Sequence, residues 1–196
     1  FGTEYGHVPH EAYVPLPGDR MRLVHRITHL DGHGGRFGAG LVIGEADIAG
    51  DEWFLTCHFL DDEVMPGTLM YECCLHTFRA FLLRYGWTGC VSTPHGDHGA
   101  VSDGSLRFEP IPGVTSRLRC RGQVTEATAR VQYEIHVKSV GYGDEGVPEA
   151  VADAIMCADG KPVVHMENLC VRLRGATQHA LEAHWEGRPA GRGEPV

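Results

Sequence analysis

The segment that most constrains the fold runs from Thr68 to Trp87. In T-L-M-Y-E-C-C-L-H-T-F-R-A-F-L-L-R-Y-G-W, residues Leu69, Met70, Cys73, Cys74, Phe78, Phe81 and Leu82 recur at helical spacing, and Gly86 is placed to stop the helix. The apolar stripe is too broad for a helix lying on a surface, so other structure must wrap it. Strand-like segments are available on both sides. Before the helix, Met21–Leu30 alternates apolar with polar as a half-buried strand does, and Phe37–Ile48 reads as a glycine-rich second strand of a hairpin. The short apolar run Trp53–Phe59 reads as a strand ended by Asp61, Asp62 and Glu63. After the helix, residues 105–108, 116–124, 130–140, 150–158 and 162–174 read as strands, and 177–185 as a short capping helix. Early strands, one long apolar helix and then consecutive strands describe an α+β chain, with an antiparallel sheet packed on that helix.

Length fits one domain with extensions: an arm over residues 1–20, a body over 21–175, and a short helix and linker over 176–196. A start at Phe1 and a Gly-, Arg- and Pro-rich end read as a piece excised from a longer protein. The net charge of −9 gives no basic footprint for nucleic acid or an anionic membrane, and an acidic partner needs a local basic patch. No apolar stretch is long enough to span a bilayer, and no signal-peptide profile opens the chain. Seven cysteines without a C-x-x-C pair fit reduced thiols, and the expected location is cytoplasmic. Cys73 and Cys74 sit on the helix stripe and read as small core residues. Pro94-His95-Gly96-Asp97-His98-Gly99 lacks the spacing of a standard zinc motif and reads as a solvated loop, so no metal is expected.

Candidate chemistry gathers around His58. Glu72 follows fourteen residues later in the first turns of the helix, and Val64-Met65-Pro66-Gly67 joins the two. A helix starting at Gly67 leaves amide N–H groups unpaired at the positive end of its dipole, where a carbonyl oxygen gaining charge is stabilised. Dehydration of a 3-hydroxy thioester needs a base for the α-proton, an acid for the departing hydroxyl and a stabiliser for the enolate-like oxygen. His58, Glu72 and the Gly67 amide can supply one each.

The stretch W-F-L-T-C-H-F-L-D-D-E-V-M-P-G-T-L-M-Y-E resembles the active-site segment of bacterial β-hydroxyacyl-carrier-protein dehydratases, whose pattern is C-H-F-x-G-D-P-V-M-P-G followed by a helical carboxylate. Residues 158–164 and 171–173 resemble the closing hairpin of dehydratase domains in polyunsaturated fatty acid and polyketide synthases. The resemblance, covering roughly Met21 to Gly175, implies a hotdog fold, in which an antiparallel sheet wraps a long central helix. It also implies a 3-hydroxyacyl substrate on the phosphopantetheine of an acyl carrier protein, and no diffusible cofactor. By resemblance His58 takes the α-proton, Glu72 handles the hydroxyl, the Gly67 amide contacts the thioester carbonyl, and the Val64 carbonyl orients His58. Phe59, Val64, Met65, Pro66, Tyr71 and His76 are the expected substrate-binding positions.

Such dehydratases place histidine and carboxylate on opposite subunits, which implies a homodimer or pairing with a second hotdog domain. Glu72 matches the broad-range enzymes rather than the dehydratase-isomerases, where aspartate is usual. Asp61 and Glu63 replace the family's common Gly and Pro, which points to a more mobile loop or an altered approach to the site. His76 replaces its usual glutamine, four residues from Glu72, where a protonated imidazole favours ionised Glu72. Phe78, Phe81, Trp53 and Trp87 read as plain core. Two other readings compete: a hotdog thioesterase whose carboxylate activates water, and a non-catalytic hotdog unit serving assembly.

Overall fold

In the computed structural model, residues 14–59, 61–88 and 106–186 are described, apart from the side chain of residue 185. Strands β1 (Arg26–Asp31) and β2 (Leu41–Asp47) lead into a short helix α1 (Trp53–Cys57) and the long helix α2 (Gly67–Tyr85). Strands β3 (Arg107–Glu109), β4 (Arg117–Cys120), β5 (Arg130–Tyr142), β6 (Pro148–Ala158) and β7 (Lys161–Arg174) follow, and helix α3 (Gln178–Glu186) closes the described chain. The strands form one antiparallel sheet in the order β1-β2-β5-β6-β7-β3, with β4 also paired to β7. This is the α+β hotdog arrangement expected from the sequence.

The apolar stripe dictates the centre. Leu69, Met70, Cys73, Cys74, Phe78, Phe81, Leu82 and Leu83 of α2 are buried, and α2 lies against β2, β5, β6 and β7. Fully burying one such Leu or Phe contributes about 1.5–3 kcal/mol, so the contact between helix and sheet dominates the stability of the fold. The sheet is shaped for it: the buried face of β6 is Ala150, Ala152, Ala154, Met156 and Ala158, mostly small residues that let a bulky helix approach. Gly86 ends α2 with φ 119°, its amide donating to the carbonyls of Leu82 and Leu83. Burial pushes the Cys73 thiol up to about 12 and raises Cys74 as well, which keeps both as inert core groups.

Three local readings are corrected. Trp53–Cys57 is a helix, not a strand: the Glu52 carbonyl accepts from the amides of Leu55 and Thr56 at 2.9 and 3.2 Å. The consecutive residues Phe54 and Leu55 are both buried, as one helix face allows and strand alternation does not. The first strand is not half-buried. β1 begins only at Arg26 and occupies the sheet edge, so Ile27 and Leu30 stay exposed. The second strand starts at Leu41, because residues 37–40 form the connecting loop. The arm over residues 1–13, the loop over 89–105 and the tail over 187–196 lie outside the described residues, as does the whole 94–99 motif. No described helix is long and apolar enough to cross a membrane.

Gly40 fixes how closely that loop meets the helix. Its φ is 137°, and a Cβ there would lie 2.4 Å from Cζ of Phe81. Gly40→Ala is therefore expected to destabilise the protein by about 2–3 kcal/mol, through overpacking and a backbone conformation that side chains avoid. Urea unfolding checks this, and Phe81→Leu in the same chain should recover part of the loss.

Candidate active site

The site begins where α1 stops. His58 follows the last helical residue, and its carbonyl accepts the amide of Val64 at 3.0 Å, so His58 and Val64 close a turn between them. Within it the Phe59 amide donates to the Asp62 carbonyl at 2.7 Å. The Phe59 ring stacks on the imidazole at 4.0 Å between centroids and is itself largely exposed. The turn is held from outside as well: the Met65 amide donates to the Val124 carbonyl at 2.9 Å, and Val64 bridges to Thr125. Asp61 and Glu63 flank Asp62, whose carbonyl accepts from the amides of Phe59 and Val64. The Glu63 carboxyl, set against Glu126, is raised above the ordinary carboxylate range.

The decisive contact lies inside this turn. Nδ1 of His58 is 2.9 Å from the carbonyl oxygen of Val64. A carbonyl can only accept, so Nδ1 carries the proton and Nε2 is left with the lone pair. The ring is thereby oriented and tautomer-locked, as a base requires.

Helix α2 supplies the second group of residues. Pro66 precedes it and offers no side-chain cap, which leaves the first-turn amides of Gly67 and Thr68 to project from the helix start. Strand β4 passes close by: a Cβ at Gly67 would lie 3.3 Å from Sγ of Cys120 and 3.7 Å from Cδ2 of Leu118. Pro66, Thr68, Leu69, Tyr71 and Glu72 of this segment line an open, largely apolar cavity of about 470 Å³ together with Trp53 and Leu118. Burial raises the Tyr71 phenol, which therefore stays neutral. Glu72 meets His76, whose Nε2 lies 3.5 Å from its Oε2, and His76 is buried while Glu72 is 38% exposed. Against the desolvation that would raise it, the Glu72 carboxyl is held below the ordinary range, first by the bond to His76 and then by the field of His76 and Arg79. Glu72 is accordingly ionised at neutral pH.

The residues singled out from sequence thus fall into two groups. His58, Phe59 and Val64 form one; Pro66, Gly67, Tyr71, Glu72 and His76 form the other. Met65, between them, is buried and turns into a neighbouring cavity. His58 does not line the cavity that Glu72 lines. Trp53, Leu118 and Arg79 were not anticipated at the site. Leu118 stands out only as the apolar residue between two arginines in β4, and Arg79 only as the next stripe position after Glu72 and His76.

A family model described as a FabA-like domain matches residues 16–167. The chain is 31% identical over 153 residues to a polyunsaturated fatty acid synthase polypeptide from Thraustochytrium sp.. That match takes in 78% of this chain but only 9% of the length of the relative. Among solved structures, the dehydratase heterocomplex ApeI:P from Xenorhabdus doucetiae superposes with a TM-score of 0.52 at 13% identity, over 82% of this chain and 91% of that one. A hypothetical thioesterase with coenzyme A from Streptococcus pneumoniae TIGR4 superposes with a TM-score of 0.47 at 10% identity, over 78% and 87% of the respective chains.

Proposed function

Since the chain belongs to the family of FabA-like domains, we propose that it is a dehydratase unit of a fatty acid or polyketide assembly line, converting 3-hydroxyacyl thioesters on an acyl carrier protein to trans-2-enoyl thioesters. The observation that carries this reading is the bond between Nδ1 of His58 and the Val64 carbonyl, which leaves Nε2 free to take the α-proton. Charge then moves onto the thioester oxygen, and the Gly67 amide at the start of α2 stabilises it.

The hydroxyl departs from C3 as water and needs a proton. Glu72 rests ionised, but its Oε2 lies within 3.5 Å of Nε2 of His76. A proton reaches the leaving oxygen through the Glu72 carboxyl, with His76 as its hydrogen-bond partner, as the C–O bond breaks. His58 ends with the α-proton, and proton exchange with water resets the site. The substrate's phosphopantetheine brings the thioester, and the chemistry asks for no further cofactor.

Because His58 does not line the Glu72 cavity, the complete site is assembled between two hotdog units, His58 from one and Glu72 from the other. Complementation reads this out. The variants His58→Ala and Glu72→Gln, each inactive alone, are expected to regain about a quarter of wild-type activity when mixed at equal concentration and allowed to exchange subunits. Failure to recover activity in a sample shown by native mass spectrometry to contain mixed dimers would contradict a shared site.

The ionised Glu72 also suits a thioesterase, in which the carboxylate activates water against the same thioester. The two readings part on product: a dehydratase releases water and keeps the thioester, and a thioesterase releases the free acid.

A further inference from the structure

Trp53 borders two cavities at once. On one side lies the cavity lined by Glu72 and Tyr71. On the other is a cavity of about 500 Å³ whose floor is Leu23, Ala46, Phe54, Met65 and Tyr133, all buried, and whose rim is charged. Among the described residues no other lines both, and the chain crosses between them at Met65 and Pro66, which face opposite sides. The Met65 backbone is fixed by its bond to Val124, and the Trp53 indole is the side chain that stands between the two cavities.

The indole is held by one hydrogen bond and by apolar packing. Its Nε1–H donates to the Arg20 carbonyl at 2.9 Å, and its ring meets Phe54 edge-on at 5.7 Å. Arg20 belongs to the single-turn segment Asp19–Met21, which has no buried residue of its own. The hydrogen-bond latch on Trp53 is therefore a surface turn, while one side of its ring packs against the core.

We propose that Trp53 is the specificity-determining partition of the acyl path, and that the chamber behind it takes the distal apolar end of long acyl chains. The proposal rests on the thioester reading above and adds the route of the chain. Its chemistry is that of the floor: an aliphatic tail that has passed Glu72 meets the indole, and beyond it the buried apolar side chains and one hydroxyl of the floor, with the charged rim of Asp19, Arg20, Arg22, His25, Asp47 and Glu52 around them. That hydroxyl is already engaged, because the Tyr133 O–H donates to the Leu23 carbonyl at 3.0 Å. Short chains end before the indole and are indifferent to it. Long chains must displace it, breaking its bond to Arg20.

The test compares palmitoyl with butyryl pantetheine thioesters by calorimetric affinity, and the matching 3-hydroxyacyl thioesters by turnover. Trp53→Ala is expected to shift the ratio of long-chain to short-chain affinity about tenfold toward the long chain. Leu23→Trp, which fills the far chamber, should reverse that shift when added to Trp53→Ala. Trp53→Leu, keeping an apolar contact to Phe54, is run in parallel and should move the ratio the same way even if Trp53→Ala proves too unstable to assay. A ratio unchanged in folded Trp53→Leu, or a shift that Leu23→Trp leaves in place, overturns the partition. Because the affinity readout needs no turnover, it decides this proposal even where dehydration itself is not observed.

Discussion

Replacing His58 with alanine is expected to lower the rate of water loss from a 3-hydroxyacyl thioester by about 10²–10⁴-fold, the usual contribution of a positioned general base. The expectation follows from one contact. The imidazole is half-buried at the end of α1, and its Nδ1 is committed to Val64, so Nε2 has no structural duty to perform. Its loss removes one hydrogen bond, costing about 1 kcal/mol of stability, which the fold should survive. The variant should therefore melt near the wild-type temperature while kcat collapses and KM changes little. Equal losses of stability and activity would show instead that His58 is a structural histidine holding the 58–64 turn.

Glu72→Gln should be the second most damaging change, with kcat reduced by about 10²-fold or more and folding intact. The sign of its pH behaviour follows from the depressed carboxyl. A folded-state pKa held below the ordinary value means that the ionised form contributes stability at neutral pH, and that this is lost as pH falls through the depressed range. The side chain is 38% exposed, so solvent screens that contribution and the substitution tests chemistry rather than fold. His76→Gln removes the imidazole whose bond is the chief cause of the depressed Glu72 carboxyl, so the Glu72 pKa should rise toward its ordinary value and the pH dependence of activity should shift with it. A pH profile that stays in place in His76→Gln would remove His76 from the proton path and leave it as packing.

Much of this was legible in the residues. The stripe from Leu69 to Leu82 announced a wrapped helix because a 3.6-residue period over nearly four turns has one interpretation, and Gly86 marked its end. The segments 130–140 and 150–158 are strands as read, with burial alternating along β6 and along β5 as far as Ile135. What failed was short or depended on neighbours. Five residues, Trp53–Cys57, are too few to separate a helix from a strand by period, and the deciding bonds from Glu52 are set by how the chain enters the site. The alternation ahead of Asp31 was real, but which strand lies at the edge is a property of the sheet order, so Ile27 and Leu30 ended exposed. At the site, His58, Gly67 and Glu72 stood out through the chemistry of their spacing. Trp53 and Leu118 did not, since a cavity wall is defined by the elements that converge on it.

The central claim is tested most directly by incubating the protein with a 3-hydroxyacyl carrier-protein thioester or its pantetheine analogue, and following the acyl group by mass spectrometry, with hydration of the enoyl thioester run alongside. The two thioesters are expected to interconvert by one water in the wild type and not in His58→Ala. Release of free acid, or no interconversion in either direction by a folded sample shown to be dimeric, would contradict the claim.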